Sequence, residues 1–119
     1  KIYLWVTAVG IQSFFGCSSL KNISIPSHVK SIGKQAFDGC VQLESIDIPP
    51  SVEEINEIAF DRCYSLIHVS LPPLIKIIAH HTFRGCALKE IKIPSSVTQI
   101  DKSAFTKCLS LENVIFENN

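Results

Sequence analysis

Residues 48–66 read Ile-Pro-Pro-Ser-Val-Glu-Glu-Ile-Asn-Glu-Ile-Ala-Phe-Asp-Arg-Cys-Tyr-Ser-Leu, and residues 93–111 repeat the frame as Ile-Pro-Ser-Ser-Val-Thr-Gln-Ile-Asp-Lys-Ser-Ala-Phe-Thr-Lys-Cys-Leu-Ser-Leu. Outward from these two stretches the frame fills the chain. Phe14, Phe37, Phe60, Phe83 and Phe105 are each followed three places later by Cys17, Cys40, Cys63, Cys86 and Cys108. A Leu follows each Cys, at Leu20, Leu43, Leu66, Leu88 and Leu111. The Phe spacing is 23, 23, 23 and 22 residues, and the shortfall lies at Cys86-Ala87-Leu88, where one residue separates Cys from Leu.

Each column has a physical reading. After each Leu comes an alternating apolar pair: Ile23/Ile25, Ile46/Ile48, Val69/Leu71, Ile91/Ile93 and Val114/Phe116. Alternation with period two is the mark of a short strand with one buried face. Pro26, Pro49, Pro72 and Pro94 follow four of these pairs and end the strand, because proline lacks the N–H that a ladder needs. Val29/Ile32, Val52/Ile55, Ile75/Ile78 and Val97/Ile100 form a second apolar pair, with Val6/Val9 as its first copy. The Phe-to-Cys spacing predicts a helical or 3₁₀ turn with both side chains inward. The column Gly10, Gly33, Asn56, Ala79, Asp101 predicts a tight turn with positive φ, Ala79 fitting least well.

One such unit cannot bury its own apolar side, whereas stacked copies cover each other. The expectation is therefore an α/β leucine-rich-repeat solenoid: a parallel concave sheet of about five short strands, with 3₁₀ or short helical turns on the convex side. Residues 1–119 are read as a single solenoid, with units near 1–25, 26–48, 49–71, 72–93 and 94–116, and as a fragment of a longer array. The core ladder is Phe14, Phe37, Phe60, Phe83 and Phe105 with Cys17, Cys40, Cys63, Cys86 and Cys108.

The string Ile-Pro-x-Ser-Val-x-x-Ile-x-x-x-Ala-Phe-x-x-Cys-x-x-Leu resembles the BspA-type leucine-rich repeat, and its Ala-Phe-x-x-Cys element is the distinguishing part. The resemblance covers nearly the whole chain. It implies a right-handed β-α superhelix used for adhesion or protein binding, in proteins that are typically secreted or surface-displayed. The first unit departs from the pattern, with Ser13 before Phe14 and Tyr3-Leu4 where Pro-Ser would stand, as a worn terminal repeat does.

Composition narrows the function classes. Lys plus Arg equals Asp plus Glu at 11 each, which argues against a broad basic surface and so against nucleic acid as partner. Hydrophobic residues make up 46%, enough for a core and against disorder. No apolar run approaches the roughly 18 residues of a membrane span. Lys1–Ile11 has the look of a leader, but Val6, Val9 and Phe14 keep register with later units, which a discarded leader would not do. The expected location is the cell surface or outside the cell, with the cytoplasm as the alternative.

Five cysteines, one per unit and without a Cys-x-x-Cys pair, read as reduced, buried side chains in one column; a disulfide between neighbouring coils or a reactive thiol at an end coil is the alternative. His80-His81 aligns with Lys34-Gln35 and so lies on the exposed outer turn, without a carboxylate cluster for metal binding. No nucleophile signature, phosphate loop or paired-carboxylate helix is present; the reading is a non-enzyme without cofactor or metal. Asn22-Ile23-Ser24 is a glycosylation acceptor motif.

The remaining strand positions vary while the frame stays fixed. Asn22, Ser24, Ser45, Asp47, His68, Ser70, Glu90, Lys92, Asn113 and Ile115 should face outward on the concave sheet, and they form the expected surface for a protein partner. The alternative is an intracellular scaffold held permanently in a larger assembly, since free Cys is commoner in reducing compartments.

Overall fold

A computed structural model describes residues 5–118. The leader-like start and the Tyr3-Leu4 departure lie partly or wholly outside them. Among the described residues nine short strands run in chain order: β1 (Ala8–Val9), β2 (Ser31–Ile32), β3 (Ser45–Asp47), β4 (Glu54–Ile55), β5 (His68–Ser70), β6 (Ile77–Ile78), β7 (Glu90–Ile93), β8 (Gln99–Ile100) and β9 (Asn113–Phe116). Each coil contributes up to two, one after the Leu-x-x-Ile stretch and one at the second apolar pair. All pairing is parallel between successive coils: β1-β2-β4, β6-β8, β3-β5 and β7-β9, with Ser24 bridging to Asp47.

The expected α/β superhelix is corrected by these elements. Among the described residues there is no helix, and the solenoid is all-β, a β-helix with three sides per coil. Two sides are strands. The third is the Phe-x-x-Cys segment, and its backbone dihedrals explain why it does not wind. Gln12, Gly16, Gln35, Gly39, Ile58, Arg62, His81, Gly85 and Lys107 all have φ between 54° and 77°. In the first four coils these lie two residues before and two after the Phe. A left-handed residue every fourth position breaks any run of helical dihedrals.

The same alternation turns every second N–H along the stack. Gln12, Phe14 and Gly16 donate to the carbonyls of Lys34, Ala36 and Asp38 one coil later, at 3.0, 2.8 and 2.8 Å. Ser13, Phe15 and Cys17 between them close turns onto residues three earlier. Bonds flanking the strands run the opposite way: Lys30 donates to Thr7 at 2.7 Å and Glu44 to Lys21 at 3.1 Å, one coil earlier. The backbone polar groups are thus satisfied without a helix.

The positive-φ expectation for the Gly10, Gly33, Asn56, Ala79, Asp101 column is also corrected, since none of these residues has positive φ. Gly33 answers a different demand. A Cβ there would lie 2.7 Å from the Ile11 nitrogen, so the coils meet too closely for a side chain.

The interior is one apolar column. Phe37, Phe60 and Phe83 are fully buried, with Phe14 and Phe105 partly covered at the two ends. Adjacent rings stack with centroids 5.2, 5.2, 5.5 and 5.6 Å apart and planes within 9° of parallel. Repeating backbone bonds hold equivalent rings in one orientation, which gives this stacking its regularity. Ala36, Ala59 and Ala104 precede their Phe residues and are buried. The same column holds Thr82 in the fourth coil, also buried, with its hydroxyl donating to the Ala79 carbonyl at 2.8 Å.

Candidate functional site

The outward strand positions follow from the pleat. In β5 the burial alternates exposed, buried, exposed over His68, Val69 and Ser70, and in β7 it alternates over Glu90, Ile91, Lys92 and Ile93. Asn22, Ser24, Asp47, His68, Ser70, Glu90, Lys92, Asn113 and Ile115 are exposed, and Ser45 is half-buried. Parallel pairing aligns them in rows: Ser45 beside His68, Asp47 beside Ser70, Glu90 beside Asn113 and Lys92 beside Ile115. His68 Nε2 lies 3.8 Å from Asp47 Oδ1, both largely solvated. Shallow depressions mark this face among the described residues. One of about 320 Å³ is lined by Asn22, Ser24, Ser45 and Asp47. Another, of about 230 Å³, is lined by His68, Ser70, Glu90, Lys92 and Glu117. Residues of the first and second pairs of rows are not hydrogen-bonded into one sheet, because β5 does not pair with β7.

Such a surface can make many weak polar contacts. It offers mixed charge, hydroxyls and few enclosed walls, which suits a protein contact better than a small molecule held in a deep pocket.

The thiol column is described by its hydrogen bonds. Cys40, Cys63, Cys86 and Cys108 place Sγ 3.1, 3.2, 3.3 and 3.0 Å from the carbonyl oxygens of Phe14, Phe37, Phe60 and Phe83, one coil earlier. All five cysteines are free; the central three are buried and Cys17 and Cys108 are partly exposed. Burial disfavours the thiolate and raises the Cys40 pKa to about 11, with Cys63, Cys86 and Cys108 pushed upward for the same reason. A thiol held neutral is a poor nucleophile and metal ligand.

The turn side carries polar ladders that the sequence reading did not single out. Arg84 forks onto Asp61 through Nε and Nη2 at 2.8 and 2.7 Å, and Arg62 grips Asp38 Oδ1 at 3.0 and 2.8 Å. Hydrogen bonding to the carboxylates raises both guanidinium pKa values. Gln35 adds a bond to Asp38 and accepts one from Gln12. The signal was present: an acid directly after Phe, with an Arg one coil later in the same or the next column.

His80 and His81 stack with centroids 3.7 Å apart, His80 exposed and His81 half-buried. Desolvation, then Arg84 and His80, lowers the His81 pKa. Ser103 Oγ lies 2.9 Å from His80 Nδ1 and donates to Asp101 at 2.5 Å. In this order the serine bridges histidine and aspartate. A general-base relay needs the histidine in the middle, so the cluster orders a turn rather than activating the hydroxyl. Among the described residues no group of three or more His, Cys, Asp or Glu could hold a metal, and no helix is long and apolar enough to cross a membrane.

Comparison with solved structures gives the same architecture. The chain is 44% identical to a leucine-rich repeat protein from Bacteroides ovatus, over 92% of this chain and 29% of that one, with a TM-score of 0.89. It is 38% identical to the leucine rich repeat protein of T. pallidum, over 92% of this chain and 51% of that one, with a TM-score of 0.88. It is 33% identical to a leucine rich cell surface protein from Faecalibacterium prausnitzii, over 93% and 36%, with a TM-score of 0.74. The chain thus spans between 29% and 51% of the length of these three relatives. No curated protein matches it. The family model for the BspA type leucine rich repeat region (6 copies) matches residues 2–119, and the chain belongs to that family.

Proposed function

We propose that this solenoid is a non-catalytic recognition module of a surface-displayed or secreted protein, and that it binds a protein partner through Asn22, Ser24, Ser45, Asp47, His68, Ser70, Glu90, Lys92, Asn113 and Ile115. One observation carries the reading. Along β5 and β7 the inward residues are apolar and buried, while their outward neighbours differ in charge and size from coil to coil. A fixed scaffold with a variable outer row is the arrangement by which repeat proteins build extended binding surfaces. The likeness to a protein described as a leucine rich cell surface protein supports the location.

The middle of the face, His68, Ser70 and Lys92 with Asp47, is the centre of the contact. The test is capture of partners by the immobilised chain from extracellular material of the organism's habitat, compared with a His68→Ala/Lys92→Ala variant. The reading requires a partner that the variant retains at least about tenfold less well at unchanged melting temperature. Equal retention by both chains would refute this face as the contact.

A further inference from the structure

We propose that the junction between the third and fourth coils is a flexing seam that divides the strand face into two panels and thereby sets the spacing of the partner surface. The consequence for a partner rests on the function proposed above; the seam itself does not.

At the other junctions the strand sides are stitched by backbone bonds. Lys30 donates to Thr7, Glu53 to Lys30 and Thr98 to Lys76, at 2.7, 2.8 and 2.8 Å. Gly33, Asn56 and Asp101 donate to Val9, Ile32 and Ile78, at 2.7, 2.9 and 2.8 Å. Their counterparts in the fourth coil, Lys76 and Ala79, reach no carbonyl of the third. On the other strand side Glu44, Ile67 and Glu112 donate one coil back, while Lys89 does not. Both sheets end at this junction: β4 does not pair with β6, and β5 does not pair with β7.

The sequence supplies causes. Ser51 Oγ donates to Val29 O at 2.7 Å and Asn56 Nδ2 to Ile32 O at 3.0 Å, side-chain bonds across the coils. The fourth coil has Leu74 and Ala79 in those columns, which cannot donate. His28, Gly33 and Ser96 in the second and fifth coils make no such bond either, so the Ser51 and Asn56 side chains reinforce the second junction rather than open the third. Val29, Val52 and Val97 close a turn onto Pro26, Pro49 and Pro94, but Ile75 does not close onto Pro72. The shortened Cys86-Ala87-Leu88 link shifts the remaining bond, so that Ala87 donates to Leu66 at 2.9 Å and Lys89 is left out. Shallow clefts lie along this junction on both strand sides, as one also does between the first and second coils, so they follow the seam without marking it. One of about 550 Å³ is lined by Glu53, Glu54, Lys76, Ile77 and Ala79, and the other is the depression around His68, Ser70, Glu90 and Lys92.

The third side stays closed. Ile58, Phe60 and Arg62 each donate to the fourth coil at 2.9 Å, Phe60 stacks on Phe83, and Arg84 forks onto Asp61. A junction bonded all along one side, and held on the strand sides by the single Ala87–Leu66 backbone bond, has the geometry of a hinge whose axis follows the bonded side. Opening moves Glu90 and Lys92 away from His68 and Ser70 without breaking the turn ladder. The partner surface can then adapt its width to the bound protein.

The test uses the 119-residue chain without any partner. Amide exchange should be at least about tenfold faster at Lys76, Ala79 and Lys89 than at Glu53, Asn56 and Ile67. Residual dipolar couplings of residues 8–70 and 77–116 should require two alignment tensors. Ala79→Asn, alone and with a serine inserted between Cys86 and Ala87, should slow exchange at residue 79 and bring the two tensors together. Equal protection at both sets of amides, or a single tensor for the native chain, would overturn the seam. Loss of partner capture in the His68/Lys92 variant bears only on the binding face, so the two ideas fail separately.

Discussion

The thiol of Cys63 donates to the carbonyl oxygen of Phe37, 3.2 Å away and one coil earlier. That carbonyl also accepts the N–H of Cys40, so it is shared between two coils. A cysteine at this column is small enough for a dry interior and still supplies a donor. Cys63→Ala keeps the packing volume nearly intact and removes the bond. We expect a loss of about 1–2 kcal/mol in denaturant titration, and no loss would show the thiol to be a filler only.

Phe60 lies between Phe37 and Phe83 in the ring stack and has no exposed surface. Phe60→Ala should cost about 3–5 kcal/mol, since neither neighbouring coil can collapse into the gap without breaking the turn ladder. A thermal midpoint within a degree of the native chain would contradict this.

Ile58 has φ of 63° although its side chain is β-branched, in the column where Gln12 and Gln35 have φ of 57° and 58°. Left-handed dihedrals are costly for a branched Cβ. Ile58→Gln should therefore raise stability by about 0.5–1 kcal/mol, read as a shift in the denaturant midpoint. A drop would mean that the apolar contacts of Ile58 outweigh the backbone strain.

Asp61 is 2% exposed and its carboxylate is held by the Arg84 fork. Arg84→Ala leaves that carboxylate without its strongest partner and should cost about 1–3 kcal/mol. Arg84→Lys should recover only part of this, because an ammonium cannot supply the two parallel bonds. Full recovery by Lys would show that charge alone matters.

The folded chain should lose stability at both ends of the pH scale. Cys40 has its pKa raised from 9.0 to about 11, so between those values the unfolded thiol ionises while the folded one does not, and stability falls as pH rises. Asp101 is depressed by its hydrogen bonds from Ser103, so its contribution is present above the unfolded pKa of 3.8 and fades as pH falls below it. Melting curves from pH 3 to pH 11 check both limbs. An unchanged alkaline limb in a Cys40→Ala variant would remove the thiol from the account.

The buried columns and the outward strand rows were legible because a period of about 23 residues puts each requirement on the page five times. The turn side was not. Phe and Cys three apart suit a helical turn, and only the backbone shows that Gln35 and Gly39 adopt positive φ on either side of Phe37. Gln, Ile, Arg, His and Lys in those columns carry no glycine signature, so the left-handed positions were hidden, and the Gly33 column drew attention instead. The seam had its trace in the missing residue beside Ala87 and in Ala79 being out of place. Its meaning depended on knowing which carbonyls the neighbouring coils offered. The Arg84–Asp61 fork needed the lateral distance between coils, which spacing alone does not give.

The different hydrogen-bonding patterns of the two kinds of side have an electrical result. On the turn side Gln12, Phe14 and Gly16 point their N–H toward the following coil, whereas along the parallel strands successive peptide groups point alternately forward and back. The strand-side dipoles along the stack therefore largely cancel among themselves. An α-helix, whose peptides all align, accumulates about half a unit charge at each end. The strand sides add no comparable terminal charge, however many units are stacked.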